Sequence, residues 1–118
     1  MDLDAAVEPV LVVARKFAHE IDVDARFPDE AVDAIRSSGL LGLTLPTETG
    51  GMGAGPHELV TVVSSLAGAC GSTAMVYLMH VSAAMSVAAA PPPGLPAPPR
   101  RPGAGHAWLR KTCGDTTR

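Results

Sequence analysis

The chain has 118 residues, of which 47% are apolar but only 3% aromatic, so it can form one small domain with a core of Ala, Val, Leu and Met. Its formal net charge of −3 hides an asymmetry: residues 1–90 carry 4 Lys/Arg and 11 Asp/Glu, whereas residues 91–118 carry 5 Lys/Arg and 1 Asp/Glu. The acidic part has no basic cluster, which excludes a nucleic-acid surface there, and its acidic N-terminus is unlike a signal peptide.

Cysteine and histidine usage predicts a cytoplasmic chain without a metal site. Cys70 and Cys113 have no metal-ligand spacing, and two reduced thiols are typical of the cytoplasm. The four histidines are also scattered without ligand spacing (His19, His57, His80 and His106).

The first predicted helix has an apolar stripe at helical spacing, made of Val7, Val10, Leu11, Ala14, Phe17, Ala18 and Ile21. Because proline is tolerated only in the first turn, the helix is expected to start close to Pro9. The acidic stretch 22–26 is interpreted as an exposed connector.

The second predicted helix has Pro28 near its start and acidic residues in its first turn, where the helix dipole favours negative charge. Its inner face is formed by Ala31, Val32 and Ile35. Gly39 is expected to end it in the left-handed conformation. The apolar run 40–46 is short and bounded by Gly and Pro, so an extended buried segment is expected there.

Two further helices follow a glycine-rich loop at 49–56. The third is expected over 57–69, with Leu59, Val60, Val63, Leu66 and Ala67 as its apolar residues. Ser72 is a good N-cap for a fourth helix that runs to about Ala90. Since the fourth helix is apolar nearly all round, it is expected to be buried on most sides.

The sequence therefore predicts an all-α fold, a small bundle of about four helices over residues 1–90, followed by a tail over 91–118. The tail contains 7 of the 11 prolines and 5 of the 9 basic residues. No helical or strand period continues there, so a disordered tail is predicted. The abrupt change motivates the hypothesis of a frameshift in a GC-rich gene, which the nucleotide sequence would contradict if no other frame continued as a folded domain.

A specific motif begins at the start of the second helix and continues after that helix up to the glycine-rich loop. Phe27-Pro28 is followed by Ser38-Gly39-Leu40-Leu41-Gly42-Leu43-Thr44-Leu45-Pro46-Thr47-Glu48-Thr49-Gly50-Gly51-Met52-Gly53. Over about residues 11–90 the chain resembles the N-terminal helical domain of the acyl-CoA dehydrogenase family. That family commonly shows this Gly-Leu-x-Gly, Pro-x-x-x-Gly-Gly-x-Gly progression, with an aromatic residue often where Thr49 stands.

The resemblance implies a flavoprotein of fatty acid metabolism that oxidises acyl-CoA at Cα–Cβ. Members are similar in having a helical N-terminal domain, a middle β-domain and a C-terminal helical bundle, and in forming homo-oligomers. They bind FAD mainly between the last two parts, and a glutamate of the C-terminal part removes the α-proton while the flavin accepts the hydride. The chain departs from this pattern at about Pro91. No catalytic residue is therefore assigned to it, and its cofactor-binding residues remain unknown.

Three residues of the fourth helix are candidates for lining the acyl channel, which borders this helix in the resembled family: Met79, His80 and Ala83. For His80 the alternative is a buried, hydrogen-bonded core histidine. The glycines at 50–53 could be interpreted as a phosphate cradle, but their spacing fits neither a P-loop nor a dinucleotide motif. A tight structural turn is the favoured interpretation.

Four functions remain open from the sequence. The favoured one is an N-terminal fragment of an acyl-CoA dehydrogenase, inactive alone; flavin-dependent monooxygenases share the same N-terminal domain. A non-catalytic helical interaction module is the alternative from another class. A small membrane protein is the fourth, because residues 59–99 contain no Asp, Glu, Lys or Arg. The Ala- and Ser-rich composition and a central His80 disfavour membrane insertion.

Overall fold

The computed structural model describes residues 2–94, which form four α-helices and two short 3₁₀ turns. The helices are α1 (Leu3–Asp24), α2 (Asp29–Ser38), α3 (Pro56–Ala69) and α4 (Gly71–Ala89). The predicted all-α bundle of about four helices is thus confirmed. The prediction of a disordered tail falls, from residue 95 onward, outside the described residues.

Helix α1 is longer than expected at both ends. It begins at Leu3, so Pro9 lies inside the helix and the predicted start was wrong. The side chain of Asp2 accepts a hydrogen bond from the backbone N–H of Ala5 at 3.1 Å and caps the helix. Val7 and Val10 are buried on either side of the proline, and their packing stabilises the helix through it.

The predicted connector over 22–26 was also wrong, because α1 continues to Asp24 and ends at Ala25, a left-handed residue with φ of 49°. Arg26 then joins α1 to α2. Its guanidinium donates to Glu30 at 2.9 and 3.1 Å and to Glu20 at 3.2 Å. It also lies 5.7 Å from the ring centroid of Phe17. The hydrogen bonds from Arg26 hold the pKa of Glu30 below its usual value.

The segment between α2 and α3 is buried, as predicted, but it is not extended. Gly39 ends α2 in the left-handed conformation, with φ of 82°, and a 3₁₀ turn over Leu40–Gly42 follows at once. Leu40 and Leu43, three residues apart, both have no exposed surface. That spacing matches the three residues per turn of a 3₁₀ helix, which explains why both side chains enter the core.

All four helices contribute to one main core. Helix α1 packs against α2, and α3 packs against α4. The buried residues of this core are Val7, Val10, Leu11, Ile35, Leu40, Leu43, Val62, Leu66, Ala74, Tyr77 and Val81. On α3 the buried side chains are Val62 and Leu66, while Val60 is 63% exposed. The core therefore lies along one side of α3 and leaves the opposite side in solvent.

Candidate functional site

The glycine-rich loop turns its backbone N–H groups inward. Four consecutive residues donate to carbonyl oxygens of the preceding segment: Gly51 to Pro46 at 3.0 Å, Met52 to Gly42 at 2.9 Å, Gly53 to Leu45 at 2.8 Å and Ala54 to Leu43 at 2.9 Å. A phosphate cradle needs N–H groups that point at the ligand. These amides already have partners, so the interpretation as a structural turn is confirmed.

Helix α4 has one buried side and one open side, so the prediction that it is buried on most sides was wrong. Tyr77, Val81 and Ala84 are buried against the rest of the bundle. On the opposite side the large exposed residues are Met75 (58%), Leu78 (37%), Met79 (64%) and Met85 (46%). Ser82, Ala83 and Ser86 are also exposed there. These seven residues are called the outer face of α4 below.

The start of α4 differs from the prediction by one residue. The helix begins at Gly71 with the buried Cys70 at the N-cap position, so Ser72 is not the cap. Thr73, which the sequence did not single out, is completely buried, and its hydroxyl has no hydrogen-bond partner among the described residues. The sequence holds no signal that separates Thr73 from the other hydroxyl residues of α4, Ser72, Ser82 and Ser86.

Tyr77 is the polar anchor of α4. Its hydroxyl donates a hydrogen bond to the carbonyl oxygen of Leu40 at 2.8 Å and is buried. Burial raises the pKa of this phenol well above its ordinary value. Tyr77 therefore ties α4 to the turn that follows α2.

The three predicted channel residues do not share one side of α4. Met79 and Ala83 lie one turn apart on the outer face of α4, both exposed. His80 is half-buried and lies away from the centre of that face. Met79 and Ala83 are therefore accessible for contact on the outer face of α4. The channel role of all three residues stays a prediction.

Groups that hold cofactors are sparse in this part of the chain. Over residues 2–94, no cluster of three or more His, Cys, Asp or Glu side chains is arranged to hold a metal ion. The described basic residues all lie on α1, on α2 or between them, where Arg26 and Arg36 contact carboxylates and Lys16 lies 5.3 Å from the Phe17 ring centroid. The loop amides of residues 51–54 are engaged as well, and no Lys or Arg lies on the glycine-rich loop, α3 or α4.

By length and composition, α4 alone among the described helices could cross a membrane. A core helix of a water-soluble protein meets the same criteria, so this is weak support for a membrane protein. One side of α4 packs on the core and carries the Tyr77 hydrogen bond.

The chain is similar to proteins of one family. A family model described as the N-terminal domain of acyl-CoA dehydrogenase matches residues 5–90. A short-chain-specific acyl-CoA dehydrogenase of Clostridium acetobutylicum is 31% identical over 97 residues, which cover 74% of this chain and 26% of that protein. No solved structure matches the chain.

Two other relatives are named for different activities. A 3-sulfinopropanoyl-CoA desulfinase of Cupriavidus necator is 38% identical over 53 residues, or 45% of this chain and 13% of that protein. The oxygenase subunit of a flavin-dependent monooxygenase of Rhodococcus jostii is 33% identical over 70 residues, or 59% of this chain and 18% of that protein. The chain thus spans a quarter or less of the length of most of its curated relatives.

Proposed function

Because the chain belongs to the acyl-CoA dehydrogenase family through that family's N-terminal domain, we propose that it supplies the N-terminal helical part of a flavin-dependent enzyme that oxidises acyl-CoA at Cα–Cβ. We expect residues 2–94 to be inactive by themselves. The observation that carries this proposal is the match over residues 5–90, together with a bundle in which the backbone N–H groups of residues 51–54 are hydrogen-bonded within the fold. A domain of this kind positions substrate, and other parts of the enzyme supply the base and the flavin site.

Within that enzyme, the outer face of α4 is the part of this domain that meets the acyl chain. Met79 and Ala83 are exposed, apolar and one turn apart, which suits contact with a hydrocarbon tail. The nearest described basic residues lie on α1 and α2, so this face recognises the acyl chain and leaves the CoA phosphates to other parts of the enzyme.

The first test is the absorbance spectrum of the purified chain before and after incubation with FAD and gel filtration. We expect a colourless protein and no acyl-CoA-dependent reduction of an electron-accepting dye. Retention of one FAD per chain, or turnover of an acyl-CoA, would contradict the proposal that the flavin site and base lie elsewhere.

A second test is the DNA that follows the codon for Ala90. The proposal expects another reading frame, or an adjacent gene, to encode a β-domain and a C-terminal helical bundle of the same family. DNA without either would leave the chain without the remaining enzyme and would overturn the proposal.

Flavin-dependent oxygenation is the second candidate function, because two monooxygenases match at 33% and 37% identity. The two reactions are separable in the assembled enzyme. A dehydrogenase bleaches its flavin when acyl-CoA is added without oxygen, whereas a monooxygenase consumes oxygen only when reduced flavin is supplied.

A further inference from the structure

Half of the large apolar side chains that the bundle exposes lie on one helix. Of the eight such residues in the described part of the chain, four belong to the outer face of α4: Met75, Leu78, Met79 and Met85. The exposed side of α3 is also uncharged from residue 59 on, but among residues 2–94 Val60 is its one large exposed apolar side chain. An apolar segment therefore finds more to contact on α4 than on α3.

The chain turns soon after α4 ends at Ala89. Residues 93 and 94 form a turn, in which Gly94 has a left-handed φ of 89°. A turn at this point ends the straight path away from the bundle that a longer α4 would take.

The outer face of α4 is within reach of the residues that follow this turn. Trp108 follows Gly94 by 14 residues, and a flexible chain of that length spans about 20 Å on average. At 1.5 Å per residue, Met79 and Met75 lie about 15 and 21 Å from the end of α4. Both methionines thus lie at the ordinary reach of Trp108.

The residues after α4 carry charge opposite to that of the bundle. Residues 1–90 have a formal charge of −7, from 4 Lys/Arg and 11 Asp/Glu, and residues 91–118 have +4, from 5 Lys/Arg and 1 Asp/Glu. Trp108 and Leu109, called the apolar pair below, are followed at once by Arg110 and Lys111, called the cationic pair. Apolar and cationic groups are therefore adjacent in this short segment.

Acidic side chains lie at the end of the bundle where α4 begins. Cys70, at the N-cap of α4, packs in one cluster with Ile21 near the end of α1 and Ala31 near the start of α2. The exposed aspartates beside these two residues in sequence are called the acidic corner: Asp22, Asp24 and Asp29. A segment that follows α4 from its C-terminal end to its N-terminal end thus passes from apolar side chains to the acidic corner.

We propose that residues 108–111 bind the bundle antiparallel to α4. The apolar pair covers Met79 and Met75, and the cationic pair extends towards the acidic corner. Methionine side chains adapt their shape, and their sulfur atoms favour contact with an aromatic ring such as that of Trp108. Both the order of the two pairs and their charge match the surface that they follow.

A weak contact is sufficient because the segment is tethered to the helix. A short flexible linker gives an effective concentration in the millimolar range, so a contact with a Kd of about 1 mM is about half-formed within one chain. A segment without regular structure of its own can bind in this way. A second copy or a separate protein at micromolar concentration needs a much larger buried area for the same occupancy. Tethering therefore favours residues 108–111 over other occupants.

This contact makes the chain cover its own apolar surface. The covered residues include Met79, which the proposed function assigns to contact with an acyl chain. The segment and the acyl chain would then exclude each other. The proposal rests on residues of this chain alone and not on the proposed enzyme, so either proposal can fail without the other.

The fluorescence of Trp108, the single tryptophan, reports on the contact. Its emission spectrum and its quenching by acrylamide are measured on the full chain under reducing conditions, from about 1 μM to about 100 μM protein. A synthetic peptide of residues 104–112 is the reference for a free segment. We expect the full chain to emit at shorter wavelength and to be quenched less than the peptide, equally at every protein concentration.

Met75→Ser/Met79→Ser removes the two long side chains from the contact without adding charge. Emission should move to longer wavelength, and the quenching constant should rise by up to about 2-fold if the contact is half-formed in the native chain. Val12→Ser/Val60→Ser is the matched control, because Val12 and Val60 are 56% and 63% exposed on α1 and α3. It should leave both signals unchanged. Circular dichroism confirms that each variant folds.

Exchanged charges test the direction of the segment. Arg110→Glu/Lys111→Glu should release Trp108, because carboxylates then face the acidic corner. Adding Asp22→Lys and Asp24→Lys to this variant should restore the contact, since the signs are then exchanged on both sides.

Several outcomes would overturn the proposal. Emission and quenching equal to those of the peptide exclude the contact, and an equal response to the control variant places it on another face. Signals that change with protein concentration assign the outer face of α4 to a second copy. Exchanged charges that fail to restore the contact exclude the antiparallel direction.

Discussion

Tyr77 shows how one buried hydrogen bond can fix the packing of a helix that has no Asp, Glu, Lys or Arg. Its buried hydroxyl donates to Leu40 at 2.8 Å, and the same carbonyl oxygen also accepts from the backbone N–H of Leu43 at 3.2 Å. The raised pKa means that the folded chain keeps the phenol proton at pH values where the unfolded chain, with an ordinary pKa of about 10, has released it. The stabilisation is therefore complete below pH ~10 and declines as the pH rises above it.

Tyr77→Phe should lower the free energy of unfolding by about 1 kcal/mol at pH 7, because Leu40 loses one hydrogen bond but keeps the other. Between pH ~10 and ~11.5 the native chain should lose up to about 1.4 kcal/mol per pH unit more than the variant. Urea denaturation followed by circular dichroism at pH 7, 10 and 11 measures both effects.

Ser37→Ala is the control for Tyr77→Phe, since Ser37 makes an exposed hydroxyl hydrogen bond to Asp33 at 3.0 Å. Its effect should stay within about 0.5 kcal/mol and should not depend on pH. Identical pH profiles for the native chain and Tyr77→Phe would show that the phenol is not held protonated by the fold.

At the scale of elements, the segment between α2 and α3 behaves as a core element without being a regular helix or strand. Gly51 lies so close to Leu45 that a Cβ at position 51 would overlap the Leu45 carbonyl group and side chain. Gly51→Ala should therefore destabilise the fold by about 3 kcal/mol, because the backbone that carries the buried side chains of Leu43 and Leu45 must shift to make room for the added Cβ. Thermal and urea unfolding of the variant measure the loss.

Gly68→Ala is the matched control for this substitution. Gly68 lies in the last turn of α3, and a Cβ added there would have no atom of another part of the fold within 4 Å. Alanine should therefore raise the stability by up to about 1 kcal/mol. Equal destabilisation by both substitutions would contradict the proposed close approach to Leu45.

The sequence predicted the interior of each helix better than its ends. The apolar residues of α1 and α2 correctly identified buried positions such as Val10 and Ile35, and Gly39 correctly marked the end of α2. The start of α1 was missed because burial of Val7 and the Asp2 cap outweigh the local cost of Pro9. The segment after Gly39 was misread because a single 3₁₀ turn leaves too short a period to distinguish from an extended strand.

The candidate site was less predictable because apolar residues occur on all sides of α4. Helix α4 is apolar nearly all round, so its sequence pattern does not show which side faces the bundle. Met79 and His80 are adjacent in sequence, yet one is exposed and the other is half-buried. Only packing against Leu40 and the remaining core, with Tyr77 as the anchor, decides which residues remain available for contact.

For the molecule as a whole, all four helices meet in one core, so it should unfold as one unit. Leu66→Ala removes a side chain with no exposed surface and should cost about 3 kcal/mol, a large share of the roughly 5–15 kcal/mol typical of a domain. In a Trp108→Phe background, helical circular dichroism and the near-ultraviolet signal of Tyr77, the single tyrosine, should shift together.

Val60→Ala is the control on the same helix, because Val60 is 63% exposed. It should change the stability by no more than about 0.5 kcal/mol. Separate transitions for the two signals in Leu66→Ala would show that α4 and the rest of the bundle unfold independently.

The hydrogen bonds of the inward-facing amides of residues 51–54 should restrict the opening of this loop. An amide exchanges its hydrogen with solvent only when its bond opens, and these four bonds join the loop to the segment that carries Leu43 and Leu45. Opening them exposes core residues, so the glycine-rich loop should exchange as slowly as the neighbouring helices and should resist proteolytic cleavage. The hydrogen bonds from residues 51–54 thus hold the loop against the segment that carries Leu43 and Leu45.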